Sequence, residues 1–108
     1  MEEEFYFEFS DDAQRSVERY EEMLRNQDQY FFDAQAFENI IDYYIEKNDP
    51  VKALQVIEYA LNQHPYAAVF LVKQAQLFFV TDQLERSFLS LQKAEMLEAS
   101  PQVIRRLP

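Results

Sequence analysis

No glycine occurs in the 108 residues. That absence removes every Gly-rich loop that could cradle a phosphate and every glycine-based hairpin turn, and it leaves helices joined by short turns. Cysteine is absent as well, so neither a disulfide framework nor a thiolate metal site can form. This fits a reducing compartment, and the cytoplasm is the expected location. Basic residues are scarce: ten Lys and Arg stand against twenty Asp and Glu, for a net charge of −10. Nucleic-acid affinity rests largely on Lys and Arg displacing counterions, so no nucleic-acid partner is expected. An anionic membrane surface is disfavoured for the same reason. No apolar run is long enough to span a bilayer, and the acidic start lacks the basic n-region and apolar core of a signal peptide. The single histidine, His64, immediately precedes Pro65 in an expected turn, with no nucleophile motif beside it. A turn-packing role is expected for it, no enzymatic activity, and no cofactor.

What is present is apolar and aromatic. Hydrophobic residues make up 48% of the chain, with Phe 10 and Tyr 7, which is enough to build one packed domain at this length. The charge is uneven. Residues 1–33 hold eleven acids and three Arg, whereas residues 34–108 hold nine acids and seven bases, so the acidic excess belongs to the N-terminal third.

The stretch from Ala34 to Ala67 reads as a helix–turn–helix unit. Phe37, Ile40, Ile41 and Tyr44 fall at i, i+3, i+4 and i+7, the spacing that lines up side chains on one helical face. Ala53, Leu54, Ile57, Ala60 and Leu61 form a second stripe. Between the two lies Lys47-Asn48-Asp49-Pro50. Asn tolerates the left-handed conformation that ends many helices, Asp49 can cap the next one, and Pro50 fits its first turn, where no backbone N–H is needed.

Large residues at Phe37, Ile40 and Tyr44, small ones at Ala53 and Ala60, Ile57 between them and Pro65 at the end follow the 34-residue pattern W-x2-L-G-x2-Y…A-x3-F…P, so the unit resembles a tetratricopeptide repeat. Ile41 stands where that family usually has Gly or Ala, and Asn48 where Gly is common. The runs YFFDAQAFENIIDYY (30–44) and KALQVIEYALNQHP (52–65) resemble the start of multi-repeat bacterial proteins of this kind, and the resemblance covers about residues 11–101. It implies an all-α fold of antiparallel helix pairs stacked as a right-handed superhelix.

The remaining segments are read around that unit. Phe5, Phe7 and Phe9 alternate with Tyr6 and Glu8 in an acidic, aromatic arm over residues 1–10. Such an arm is expected to lie extended along the helices or to reach a neighbouring molecule. Ser10, Asp11 and Asp12 start a capping helix over about 11–26, with Ala13, Val17, Tyr20 and Leu24 facing inward. Its stripe does not align with the repeat, as terminal units of arrays often do not. Tyr30-Phe31-Phe32 then anchor this cap, which with its connection fills 11–33.

A second repeat spans 68–101, with Leu71, Ala75 and Phe78 inward on its first helix and Leu84, Phe88, Leu91 and Ala94 inward on its second. Asp82 followed by Glu85 suggests a capping box. Gln74, opposite Ile40 of the first repeat, is a departure. Ser100-Pro101 looks like another helix start, but only a stub, 102–108, follows. Val103, Ile104 and Leu107 make a poor polar cap, so the chain is expected either to be the N-terminal part of a longer protein or to form a homo-oligomer through its C-terminal end or its N-terminal arm.

The resemblance implies a non-catalytic protein–protein interaction module that holds a peptide or protein segment on the concave face of its first helices. Glu38, Asp42 and Glu46 lie at i, i+4 and i+8 on one such helix, and Val69, Val72, Lys73, Gln76 and Phe79 take equivalent or adjoining places on the other. The expected ligand joins Lys or Arg to an apolar residue. Family members that clamp a terminal carboxylate use Lys, Arg and Asn here, so that activity is not implied. No metal site is expected of the three acids, which share one helix with no His at ligand spacing. Two alternatives use the same residues differently. One is a small acidic chaperone for a secreted or assembling protein, resting on Val69, Val72 and Phe79. The other is an acidic nucleic-acid mimic, resting on the carboxylates of residues 2–33.

Overall fold

The computed structural model describes residues 10–99. Among them the chain is all-α, with five helices and no strand: α1 (Asp11–Asn26), α2 (Ala34–Glu46), α3 (Pro50–Gln63), α4 (Ala68–Val80) and α5 (Leu84–Glu98). The expectations for the aromatic arm, for Ser100-Pro101 and for the stub lie outside the described residues. No helix among the described residues is long and apolar enough to cross a membrane.

The first three helices begin on side-chain caps. Ser10 Oγ accepts from the Ala13 amide at 3.1 Å, Asp33 Oδ1 from Ala36 at 2.8 Å and Asp49 Oδ1 from Lys52 at 3.1 Å, each satisfying a donor the helix itself leaves free. With no glycine, the left-handed positions after helices fall to Gln27 (φ 51), Asn48 (φ 60) and Asp82 (φ 64). Asn48 and Asp82 are 34 residues apart, and so are the first residues of α2 and α4 and of α3 and α5. The turns match in detail: the Asp49 and Gln83 amides donate to Tyr44 and Phe78 carbonyls at 2.9 and 2.7 Å. Asp82 therefore ends α4 instead of capping α5. The residue before α5 is Gln83, which gives no side-chain cap, so the expected capping box is absent.

One core joins α1, α2 and α3 with Phe70 and Leu77 of α4. Phe37, Ile40, Ile41 and Tyr44 are all buried, as the stripe predicts. On α3, Val56 is buried and Leu54 and Leu61 only half-buried, because that helix meets neighbours on more than one side. On α1, Met23 takes the inward place expected for Leu24, which is exposed; the following connection folds over Met23, and the Tyr30 amide donates to its Sδ at 3.3 Å. Tyr20 sits at the centre, edge-on to Tyr44, Tyr59 and Phe32 at centroid separations of 6.3, 5.7 and 6.4 Å. The Tyr44 hydroxyl donates to Glu21 Oε2 at 2.8 Å. Burial, then the Glu21 carboxylate, pushes the Tyr44 phenol above its ordinary range, and burial, then Tyr59, does so for Tyr20.

The aromatic connection does anchor α1. Phe32 is buried, Tyr30 half-buried, and the Arg19 guanidinium lies over both rings. Gln63 then clamps the backbone from α3: its Oε1 accepts from the Phe32 amide at 3.0 Å and its Nε2 donates to the Tyr30 carbonyl at 2.8 Å. Phe31 remains exposed. His64 packs in the turn before α4, its Nε2 2.8 Å from the Phe32 carbonyl oxygen and its ring against Phe31, Phe37 and Phe70.

On α4 the buried set is Phe70, Leu71, Gln74, Ala75 and Leu77, with Phe78 half-buried. Of the inward face expected for α5, Ala94 is buried as expected, and the rest is off by roughly one residue. Leu84, Phe88 and Leu91 are 56%, 60% and 47% exposed, and Ser87, Ser90 and Ala94 are buried against α4. Ser87 Oγ donates to the Ala75 carbonyl at 2.8 Å, and Ser90 Oγ to Gln74 Oε1 at 2.7 Å. Partners fall on α4 as they rise on α5, so the two helices run antiparallel. Small residues allow the close approach, and the polar Gln74 is satisfied by Ser90 and, at 3.4 Å, by Glu58.

Candidate functional site

The residues expected to meet a partner lie on α2 and α4, which consecutive packing through α3 brings side by side. Two contacts link them: the Phe37 and Phe70 rings meet edge-on at 6.2 Å, and Lys73 Nζ donates to Asp42 Oδ1 at 3.2 Å. Glu38 and Glu46 stand one turn to either side of Asp42; Val69 and Gln76 stand one turn to either side of Lys73, with Val72 beside it. Glu38 is half-buried, while Glu46, Val69, Val72, Gln76 and Phe79 are exposed.

The acidic row is therefore not uniform. Asp42 is matched by a cation from the neighbouring helix, which leaves Glu38 and Glu46 as the acids of that row outside the pair. With both residues half-buried at the surface, a pair of this kind stabilises by about 1 kcal/mol. Its larger effect is positional, since it fixes how the α2 face continues into the α4 face.

Further along α4 the surface turns apolar. Val72, Gln76 and Phe79 line an open hollow of about 320 Å³ together with Ala75, Val80, Ser87 and Leu91. Sequence reasoning assigned Leu91 to the core and missed its place in this hollow. The signal that could have found it is the trio Ser87, Ser90 and Ala94, small residues at helical spacing that compete with Leu84, Phe88 and Leu91 for the inward face. A second hollow, about 420 Å³, opens between the ends of α3 and α5 and is lined by Leu61, Pro65, Leu71, Lys93, Met96 and Leu97. Both hollows suit apolar side chains better than a polar small molecule.

No group of three or more His, Asp or Glu that could hold a metal ion is found among the described residues. Glu38, Asp42 and Glu46 project from one helix without a convergent loop. The arrangement can offer apolar contact, amide hydrogen bonds from Gln76 and carboxylates for a cation. No family model, no curated protein and no solved structure matches the chain.

Proposed function

We propose that this chain is a non-catalytic protein-interaction module whose helix pairs stack in the tetratricopeptide manner, and that it takes a partner's peptide or protein segment on the face shared by α2 and α4. The 34-residue register supports the stacking: α2 and α4 are both 13 residues long, and each is followed by a left-handed residue at the same place, Asn48 and Asp82. The observation that carries the binding face is the Asp42–Lys73 pair. It holds Glu38 and Glu46 on one side of the joint and the exposed Val69, Val72 and Phe79 on the other.

A segment with one or two apolar side chains beside a Lys or Arg complements this surface. The apolar residues supply most of the affinity, and Glu38 and Glu46 supply register and a salt-dependent part. Asp42 contributes little to recognition because Lys73 already neutralises it.

Selection of binders from a random-peptide display library tests the reading. Enriched peptides are expected to place Lys or Arg next to an apolar residue, and to bind Glu38→Lys/Glu46→Lys at least about tenfold more weakly, which is ~1.4 kcal/mol. Absence of enrichment, or equal affinity for the parent and the double variant, counts against this face.

A further inference from the structure

The outer flank of α5 continues the apolar surface of α4 beyond the α2/α4 face. Phe79 and Val80 at the end of α4 share a hollow with Leu91, while Leu84 and Phe88 line a second hollow on α5, and all five are exposed. On α5 the last three recur at i, i+4 and i+7, so they form a straight seam along one side of the helix. Beneath that seam Ala75 and Ser87 keep the surface shallow. We propose that this end face is a self-association surface, occupied by a second copy of the chain.

Area is the first argument. Taking about 200 Å² for a whole Phe side chain and somewhat less for Leu and Val, the five exposures amount to an apolar surface on the order of 500 Å². A patch of this size falls in the range of about 300–600 Å² that the largest apolar patch of a typical monomer covers, and such a patch is often functional. One side of a standard interface buries about 800 Å², of which about 56–65% is apolar, so the patch supplies the apolar share of one such side.

Charge is the second, and it selects the occupant. Residues 10–66 carry twelve acids against five bases, whereas residues 67–99 carry four acids (Asp82, Glu85, Glu95, Glu98) against three bases (Lys73, Arg86, Lys93). A basic foreign partner is drawn to the first three helices, not to this end. Two copies repel each other through α1 to α3 and meet with little repulsion through α4 and α5. Around the helix, Glu95 continues the seam at i+11, whereas Arg86 lies over the Phe78 ring and Lys93 lines the separate hollow shared with Leu61 and Leu71. An apolar seam meets, against its own copy, the self-complementarity that a two-fold contact requires.

Sedimentation equilibrium of the full chain across the micromolar range tests this. The expected result is a reversible dimer, with Phe88→Glu and, independently, Leu84→Lys each weakening association by at least about 30-fold, ~2 kcal/mol, while helix content by circular dichroism is unchanged. Val51→Glu, an exposed apolar position on α3, is expected to leave the dimer intact. A wild-type chain that stays monomeric overturns the proposal, as does a dimer that survives Phe88→Glu. A wild-type monomer that dimerises only on Ile104→Glu overturns it too, by showing that residues 100–108 of the same chain cover the face. Phe79 belongs to both surfaces, whereas the α5 substitutions change no residue of the peptide face, so peptide binding by the Phe88→Glu variant tests that reading apart from this one.

Discussion

Three single residues carry the burden that glycine carries elsewhere. Gln27, Asn48 and Asp82 adopt the left-handed conformation that stops a helix, and an L-residue there is disfavoured by roughly 1–2 kcal/mol unless a short polar side chain offsets it. Asn and Asp have such side chains, and Gln does not. Replacing Gln27 by Gly relieves the steric cost but adds about 0.5–1 kcal/mol of unfolded-state entropy. The relief is the larger effect, so Gln27→Gly is expected to raise stability by about 0.5–1 kcal/mol, read as a higher urea midpoint at constant slope. Asn48→Gly should gain less. An equal gain at both positions would show that the side chain of Asn48 offsets nothing.

At the scale of the element, α5 is the informative helix, because its two candidate inward faces make opposite predictions. Ser90 is buried against α4 and bonded to Gln74, whereas Phe88 is exposed. Ser90→Leu, although it raises hydrophobicity, forces a large side chain into a close helix contact and removes a hydrogen bond. The expected loss is about 2–3 kcal/mol. Phe88→Ser, although it removes a large apolar group, is expected to change the stability of the monomer by less than about 0.5 kcal/mol. Denaturation should be followed at a concentration too low for self-association. The reverse ranking would restore Leu84, Phe88 and Leu91 as the packing face. On α2 the stripe and the buried face coincide, since the largest residues that recur at helical spacing, Phe37, Ile40, Ile41 and Tyr44, are also the ones that pack inward.

For the whole molecule, the question is how firmly the α4/α5 pair is attached to the rest. Phe70 reaches Phe37 and His64, Gln74 reaches Glu58, and Lys73 reaches Asp42. Most of α5 touches only α4, and the dominant contact of each is with the other. Lys73→Glu places like charges at this joint and should loosen it by about 1 kcal/mol. Native-state hydrogen exchange is expected to show the amides of α4 and α5 losing more protection than those of α1 and α2. A uniform loss along the chain would mean instead that the five helices open as one unit.

The sequence by itself determined what is local. Caps at Ser10 and Asp49, proline in the first turn of α3 and the i, i+3, i+4, i+7 row from Phe37 to Tyr44 act within a few residues, so they place helices and one face of α2 without reference to anything distant. In the same way, Glu38, Asp42 and Glu46 are bound to share a face. Only the tertiary structure decided which of two faces α5 turns to α4, that Asp42 meets Lys73 across 31 positions of chain, and that Leu91 lines a hollow with Val72 and Phe79. The physical reason is that hydrophobicity ranks side chains by their cost in water, while a close contact between two helices ranks them by size. On α5 those rankings disagree, and packing against α4 prevails by seating Ser87, Ser90 and Ala94, leaving the larger apolar residues outside.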